Sequence, residues 1–174
     1  LIRSARHLVI LTGAGVSKES GVPTFREAMD GLWARYDPQQ LATPHAFRAN
    51  PQLVWEWYEW RRGLVSESMP NAGHMALALL EQLHPGDVLT VTQNVDDLHE
   101  RAGSQDIVHL HGNIARNKCL DNCQGEPTLI ENLDPTDQSV PPRCPYCGGM
   151  VRPDVVWFGE TLPVHAINRA IEAS

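Results

Sequence analysis

Apolar residues along the chain fall in short runs cut by glycine and polar residues. His7–Thr12 (HLVILT) is a near-continuous apolar run that stops at Gly13. That is the pattern of a parallel strand covered on both faces. Val88–Thr92 (VLTVT) and Ile107–Leu110 (IVHL) repeat it, and Val155–Phe158 (VVWF) reads as a fourth strand or an extended segment. Helical spacing lies between the runs. Met75, Leu79, Leu80 and Leu83 line one face of a helix over Ala72–Leu83, with Asn71 as its N-cap. Pro51 suits the first position of a helix over Gln52–Ser66. Asp96–Ala102 reads as a short helix after the second strand, and Val164–Ala173 as a closing one. Strands alternating with helices predict an α/β fold with a parallel sheet. The tryptophan-rich stretch before Asn71 does not alternate with strands and reads as a helical insertion. The Pro-, Asp- and Gly-containing stretch after the third strand reads as a second insertion. The expected division is a sheet domain from 1–31, 72–116 and 150–174, a helical module at 32–71, and a cysteine module at 117–149.

The chain has 174 residues, near the ~150 of one ordinary domain. Its 42% hydrophobic and 20% charged content excludes a disordered chain. The formal charge of -7, with no basic run, argues against nucleic-acid partners, whose binding is driven by phosphate neutralisation. The longest apolar runs fall far short of the ~20 residues a membrane span needs. The first residues lead straight into a strand, so no signal peptide is expected, and the expected location is the cytoplasm (or the mitochondrion or nucleus in a eukaryote). Four cysteines, Cys119, Cys123, Cys144 and Cys147, form C-x3-C and C-x2-C pairs with 20 residues between them. Thiols without a secretion signal stay reduced, and two such pairs suit a closed, structural Zn²⁺ site better than disulfides. In the second pair, CPYCGG, the glycines let backbone N–H groups approach the sulfurs.

After the first strand comes LTGAGVSKESGVPTFR. Gly13 and Gly15 allow a tight turn and close backbone approach to a pyrophosphate at the start of the following helix. The spacing matches neither the common dinucleotide fingerprint nor a Walker loop, and a plain strand–turn–helix also satisfies it. Phe25 suits covering a sugar face, and Arg26 suits pairing with phosphate. Ligands of open α/β sheets sit at the carboxyl ends of the strands. There the second strand runs into Gln93, Asn94 and Asp96, which suit a carboxamide and a ribose. The third runs into His111, placed as a general base near neutral pH. His99 and His109 read as packing or supporting histidines.

GAGVSKESGVPTFR, TQNVDDLH, LHGN, the two cysteine pairs and VVWFGE occur in that order. Together they resemble the sirtuins, NAD-dependent protein-lysine deacylases, over essentially the whole chain. The resemblance implies a Rossmann-type large domain, and a small domain made of a zinc module and a helical module. NAD would lie between them, with acyl-lysine entering a tunnel from the other side. It implies that Ala14, Gly15, Phe25 and Arg26 line the NAD site, and that Gln93, Asn94 and Asp96 hold the ribose and the nicotinamide pocket. His111 is then the base, and Val156, Phe158 and Gly159 meet the substrate, partly by strand-like backbone pairing. The products implied are nicotinamide, free lysine and an O-acyl-ADP-ribose. The partners implied are acyl-lysine proteins or peptides, met by a monomer.

In WEWYEWRR, Tyr58 and Arg61 stand i, i+3 and share a helix face. A phenol and a guanidinium suit a carboxylate, although a surface Arg and a packing Tyr among Trp55, Trp57 and Trp60 fit the same spacing. The pair matches the Tyr-x-x-Arg signature of sirtuins that prefer succinyl, malonyl or glutaryl lysine, with acetyl a weaker substrate. Glu27 departs from the small residue usual after the loop arginine. The resemblance also implies further strands beyond Ser174 that contact the adenosine half of NAD, so an incomplete sheet and poor activity are expected of the 174 residues alone. The rival readings are a sirtuin-like ADP-ribosyltransferase, and an inactive zinc-binding fragment that serves as an interaction module.

Overall fold

Three successive helices begin with proline, whose fixed φ and missing N–H cost nothing in a first turn. The computed structural model, which describes residues 2–23 and 35–174, has helices α1 (Ala14–Lys18), α2 (Pro38–Leu41), α3 (Pro44–Ala49), α4 (Pro51–Glu67), α5 (Ala72–Leu83), α6 (Leu98–Ala102) and α7 (Val164–Glu172). Its strands are β1 (His7–Thr12), β2 (Asp87–Thr92), β3 (Ile107–His109), β4 (Gly112–Cys119), β5 (Leu129–Ile130) and β6 (Val151–Val155). Side chains cap the proline starts: Asp37 accepts from the Gln39 N–H, Thr43 from Ala46, and Asn50 from Leu53.

The chain divides into two compact units. The first comprises Leu1–Ala28, Leu64–Gly112 and Thr161–Ser174. Its sheet is parallel, in the order β1-β2-β3, with His7 beside Asp87 and Thr92 beside His109. Val88–Thr92 in the central strand are all buried, which explains the unbroken apolar run there. Leu89, Val91 and Val108 pack with Ala166 of α7. Burial of each large aliphatic side chain contributes roughly 1.5–3 kcal/mol. Gly86 enters β2 so close to the Arg6 carbonyl that any Cβ would collide with it. Asn71 caps α5 through a capping box closed by His74.

The second unit comprises Met29–Gly63 and Asn113–Glu160. Val54, Trp57 and Tyr58 lie on the buried face of α4, while Glu56 and Glu59 are turned to solvent. Phe47 and Trp157 join them, the two rings 5.1 Å apart. A second sheet, in the order β5-β4-β6, carries the cysteine module. Trp55, Ile130 and Val151 pack around Cys119 and Cys144.

Two expectations are corrected here. Val155–Phe158 is not a fourth strand of the parallel sheet. The strand is Val151–Val155, it belongs to the second sheet, and residues 156–160 form the loop after it. Residues 150–160, expected with the parallel sheet, accordingly group with the cysteines. Apolarity alone does not say which of two sheets a strand joins, because both bury their strands.

Candidate functional site

In the first unit, the carboxyl ends of β1, β2 and β3 carry a polar cluster joined by hydrogen bonds. β1 turns at Gly13 into α1, whose first residues are Ala14 and Gly15 and whose N-terminus has no side-chain cap. A Cβ added at Gly13 or Gly15 would meet nothing within 4 Å. Packing inside the protein therefore makes no demand for glycine there. The Gln93 N–H donates to the Thr12 carbonyl at 3.0 Å, tying the second strand end to the glycine turn. The Gln93 carbonyl accepts a 2.8 Å bond from His111 Nδ1. A carbonyl only accepts, so that bond places a proton on Nδ1, and in the neutral ring the lone pair is then on Nε2.

Ser17 of α1 is the hub. Its hydroxyl donates to Asp96 Oδ2 at 2.9 Å, accepts from Asn94 Nδ2 at 2.8 Å, and meets His74 Nε2 at 3.5 Å. One hydroxyl has one proton to give and two lone pairs to fill, so the three bonds saturate it. Asp96 Oδ1 also accepts from the Leu98 N–H. Asn94, Asp96, Ser17 and His74 are all buried, whereas Gln93 is exposed. His74 stacks edge-on against His99 at 4.9 Å, and His99 Nε2 meets Thr12 Oγ1 at 3.0 Å. Burial lowers the pKa of both imidazoles; the Asp96 carboxylate raises that of His74, and His74 further lowers that of His99.

The glycine turn, the amides at 93 and 94, Asp96 and His111 are thus brought together. Phe25 and Arg26 lie outside the described residues. Sequence reasoning missed Ser17 and His74, whereas His99, read as a packing or supporting histidine, packs on His74 and meets Thr12. Ser17 stands inside the quoted GAGVSKES run, and its register four residues past Gly13 was the available signal. His74 lies far off in sequence and gave none.

In the second unit, Tyr58 is fully buried, and its phenol oxygen accepts the Trp157 indole N–H at 2.9 Å. The Arg61 guanidinium lies 5.0 Å from the Trp57 ring and 5.7 Å from the Tyr58 ring, so the two residues do share one helix face. Burial raises the Tyr58 pKa, against the opposing charge of Arg61. Burial also pushes the Arg61 guanidinium below its ordinary value. Val156 is half-buried, whereas Phe158 (51% exposed) and Gly159 face solvent.

The four cysteine sulfurs lie within 4.8 Å of one another, with Cys119–Cys147 at 3.7 Å and Cys123–Cys144 at 3.8 Å. Ligands about 2.3 Å from a tetrahedral zinc stand about 3.8 Å apart, so the thiols fit that ion. Burial opposes the Cys144 thiolate, but the backbone N–H groups of Tyr146 and Cys147 outweigh it and bring the thiol down to about 7. The Gly149 N–H reaches the Cys147 sulfur at 3.4 Å, and a Cβ on Gly149 would crowd that sulfur at 3.2 Å. Gly149 of CPYCGG therefore does admit a backbone donor to sulfur.

Residues 13–174 match the sequence model of the Sir2 family. The chain is 54% identical over 178 residues to NAD-dependent protein deacylase 1 of Pseudomonas aeruginosa, covering 100% of this chain and 70% of that protein. It is 52% identical over 168 residues to the NAD-dependent protein deacylase of Aquifex aeolicus, covering 97% and 68%. A Sir2 homologue solved as its NAD complex superposes with a TM-score of 0.83 at 47% identity, covering 99% of this chain and 65% of that one. A Sir2 protein bound to an acetylated peptide gives 0.79 at 31% identity, covering 99% and 68%. These similarities, in sequence and in fold, define the class of NAD-dependent protein deacylases. Within that class, the chain belongs to the Sir2 family. It spans about two thirds of the length of these relatives.

Proposed function

We propose that this chain carries the NAD-binding and acyl-lysine-binding parts of a protein-lysine deacylase that prefers acidic acyl groups: succinyl, malonyl and glutaryl. The observation that carries the reading is the Nδ1 bond from His111 to the Gln93 carbonyl, within the cluster built on Ser17. It leaves one basic nitrogen at the sheet's carboxyl edge, beside the amides and the carboxylate. When bound, NAD supplies the ribosyl carbon that receives the acyl oxygen, with nicotinamide as the leaving group.

The chain's own residues divide the remaining work. Gly13, Ala14 and Gly15 receive the pyrophosphate against backbone N–H groups. Arg26 pairs with phosphate, and Phe25 covers the ribose face. Gln93, Asn94 and Asp96 hold the ribose and the carboxamide, with Asp96 kept in place by the Ser17 hydroxyl. His111 takes a proton at Nε2 from a ribose hydroxyl. Val156, Phe158 and Gly159 take the substrate backbone in strand-like pairing. Tyr58 donates and Arg61 pairs toward the acyl carboxylate. The four thiolates hold zinc in a closed site, which stabilises the fold and takes no part in the reaction.

The thiols favour a reducing compartment such as the cytoplasm, the net charge of -7 argues against nucleic-acid partners, and the working unit is a monomer. Among the described residues, no helix is long and apolar enough to cross a membrane.

The test is binding of a succinyl-lysine peptide against its acetyl-lysine twin. The chain is expected to favour the succinyl peptide, and Arg61→Met to remove that preference while sparing acetyl binding. Equal losses for both peptides would remove the acidic-acyl assignment. Turnover by the 174 residues alone is expected to be poor, and robust NAD-dependent desuccinylation would overturn that expectation.

A further inference from the structure

Residues 156–160 follow β6 as a short loop, and one ion pair between a buried arginine and a partly buried glutamate closes its two ends. Arg152 of β6 is buried at 3% exposure. Its Nη1 meets Glu160 Oε1 at 2.5 Å, and its Nη2 meets Glu160 Oε2 at 2.9 Å, a bidentate fork of the strong kind. Nη2 also donates to the Val155 carbonyl at 2.7 Å. Glu160 Oε2 accepts the Trp157 N–H at 2.8 Å, and the Glu160 N–H returns to the Trp157 carbonyl at 3.0 Å. Between the two anchors, Gly159 takes φ +87, a conformation that L side chains rarely adopt, and the Phe158 N–H donates to the Ala42 carbonyl at 2.9 Å. The guanidinium also lies 3.2 Å over the Trp157 ring, and that indole donates to Tyr58. One pair of charges thus reaches the backbone on both sides of the exposed residues 158–159 and the aromatic neighbour of the acyl-reading phenol.

We infer that Arg152 and Glu160 are a positioning pair that holds residues 156–159 in the shape that receives the substrate backbone. The inference rests on the reading of Val156, Phe158 and Gly159 as the peptide-binding segment. Neither side chain touches substrate. A surface loop closed by ordinary turn bonds needs no buried guanidinium, and Arg152 is buried while its partner Glu160 stays partly exposed, so the arginine gives up its hydration for the fork that closes the loop. A charge pair spent on so short a loop fits a segment whose backbone N–H and C=O groups must be aimed outward in register.

The test uses the zinc-loaded 174-residue chain with fluorescent acyl-lysine peptides, read by anisotropy, and hydrogen exchange over residues 155–160. Glu160→Gln alone strands a buried guanidinium and risks unfolding, so the principal variant is the double Arg152→Met/Glu160→Gln, which removes both charges. It is expected to keep its zinc and circular dichroism, to speed exchange at 156–160, and to weaken peptide binding roughly tenfold or more, the usual consequence of small misplacements in a bound geometry. Glu160→Asp, which keeps the charge pair with a shorter reach, is expected to recover part of the affinity. It also stands as the test if the double variant does not fold. Wild-type affinity and exchange in a folded, zinc-loaded variant would overturn the positioning role and leave the peptide-segment reading in place. A wild-type chain that binds no acyl-lysine peptide would overturn the segment reading and the role with it.

Discussion

At His111, the 2.8 Å bond from Nδ1 to the Gln93 carbonyl decides which nitrogen is basic. Replacing His111 by Ala is therefore expected to abolish deacylation turnover in an active form of the protein, while metal analysis still finds one zinc per chain. Retained turnover would remove the general-base assignment. His74 and His99 carry a different consequence. In the fold, both titrate below the ordinary value of 6.5, chiefly because burial disfavours the charged ring. As pH falls through about 6.5, the unfolded chain takes up these protons before the folded chain does. Their contribution is complete above that pH and is lost on the way down to the folded values. The melting temperature is expected to drop between about pH 7.5 and 5.5, and His74→Gln/His99→Gln to flatten that slope. An unchanged slope in the double variant would mean that other groups carry it.

Among the elements, α5 shows how a local signal ties into distant structure. Asn71 accepts from the N–H groups of Gly73 (2.8 Å) and His74 (3.4 Å), as its place before the helix predicts. Its amide nitrogen also donates to the Val16 carbonyl (2.7 Å) and Ser20 Oγ (2.9 Å). Losing an N-cap costs about 0.5–2 kcal/mol, and the two further bonds place Asn71→Ala at the upper end of that range. Urea unfolding is expected to show a lower midpoint at an unchanged slope; a midpoint within error of wild type would contradict it. The cysteine module depends on its ion in a different way. Cys119 and Cys144 sit inside the hydrophobic cluster with Trp55, Ile130 and Val151. A filled site therefore contributes folding energy directly. Cys144→Ser, or a strong chelator, is expected to release zinc and abolish the near-ultraviolet dichroism of the tryptophans in this unit, and retention of that signal would argue against a structural metal.

At the scale of the whole molecule, the first unit leaves apolar surface open. A groove of about 370 Å³ on its sheet is lined by Val9, Leu11, Val91, Leu110, Leu162, Ile167, Ala170 and Ile171. Leu11 is 65% exposed and Ile171 68%. Apolar surface gathered in one place drives association, so sedimentation of the 174 residues is expected to show a monomer at low concentration that self-associates as concentration rises, and Leu11→Lys to reduce that association. A concentration-independent coefficient would contradict this. Much of the architecture was legible in local pattern. β1 and α5 lie at the residues their spacing predicts, and the paired cysteines converge on one tetrahedron. Those features depend on neighbours a few residues away, or on side chains with a single common use. The sheet that β6 joins, the saturation of Ser17, the stacking of His74 on His99 and the closure of Arg152 on Glu160 depend on where separate segments meet in space. Residue order along the chain was thus enough to determine β1, β2, β3, α4, α5 and α7 and the kinds of chemistry available. Only the tertiary structure decided which polar groups satisfy one another, because a buried donor or acceptor takes whatever partner the packing brings within about 3 Å, however distant in sequence.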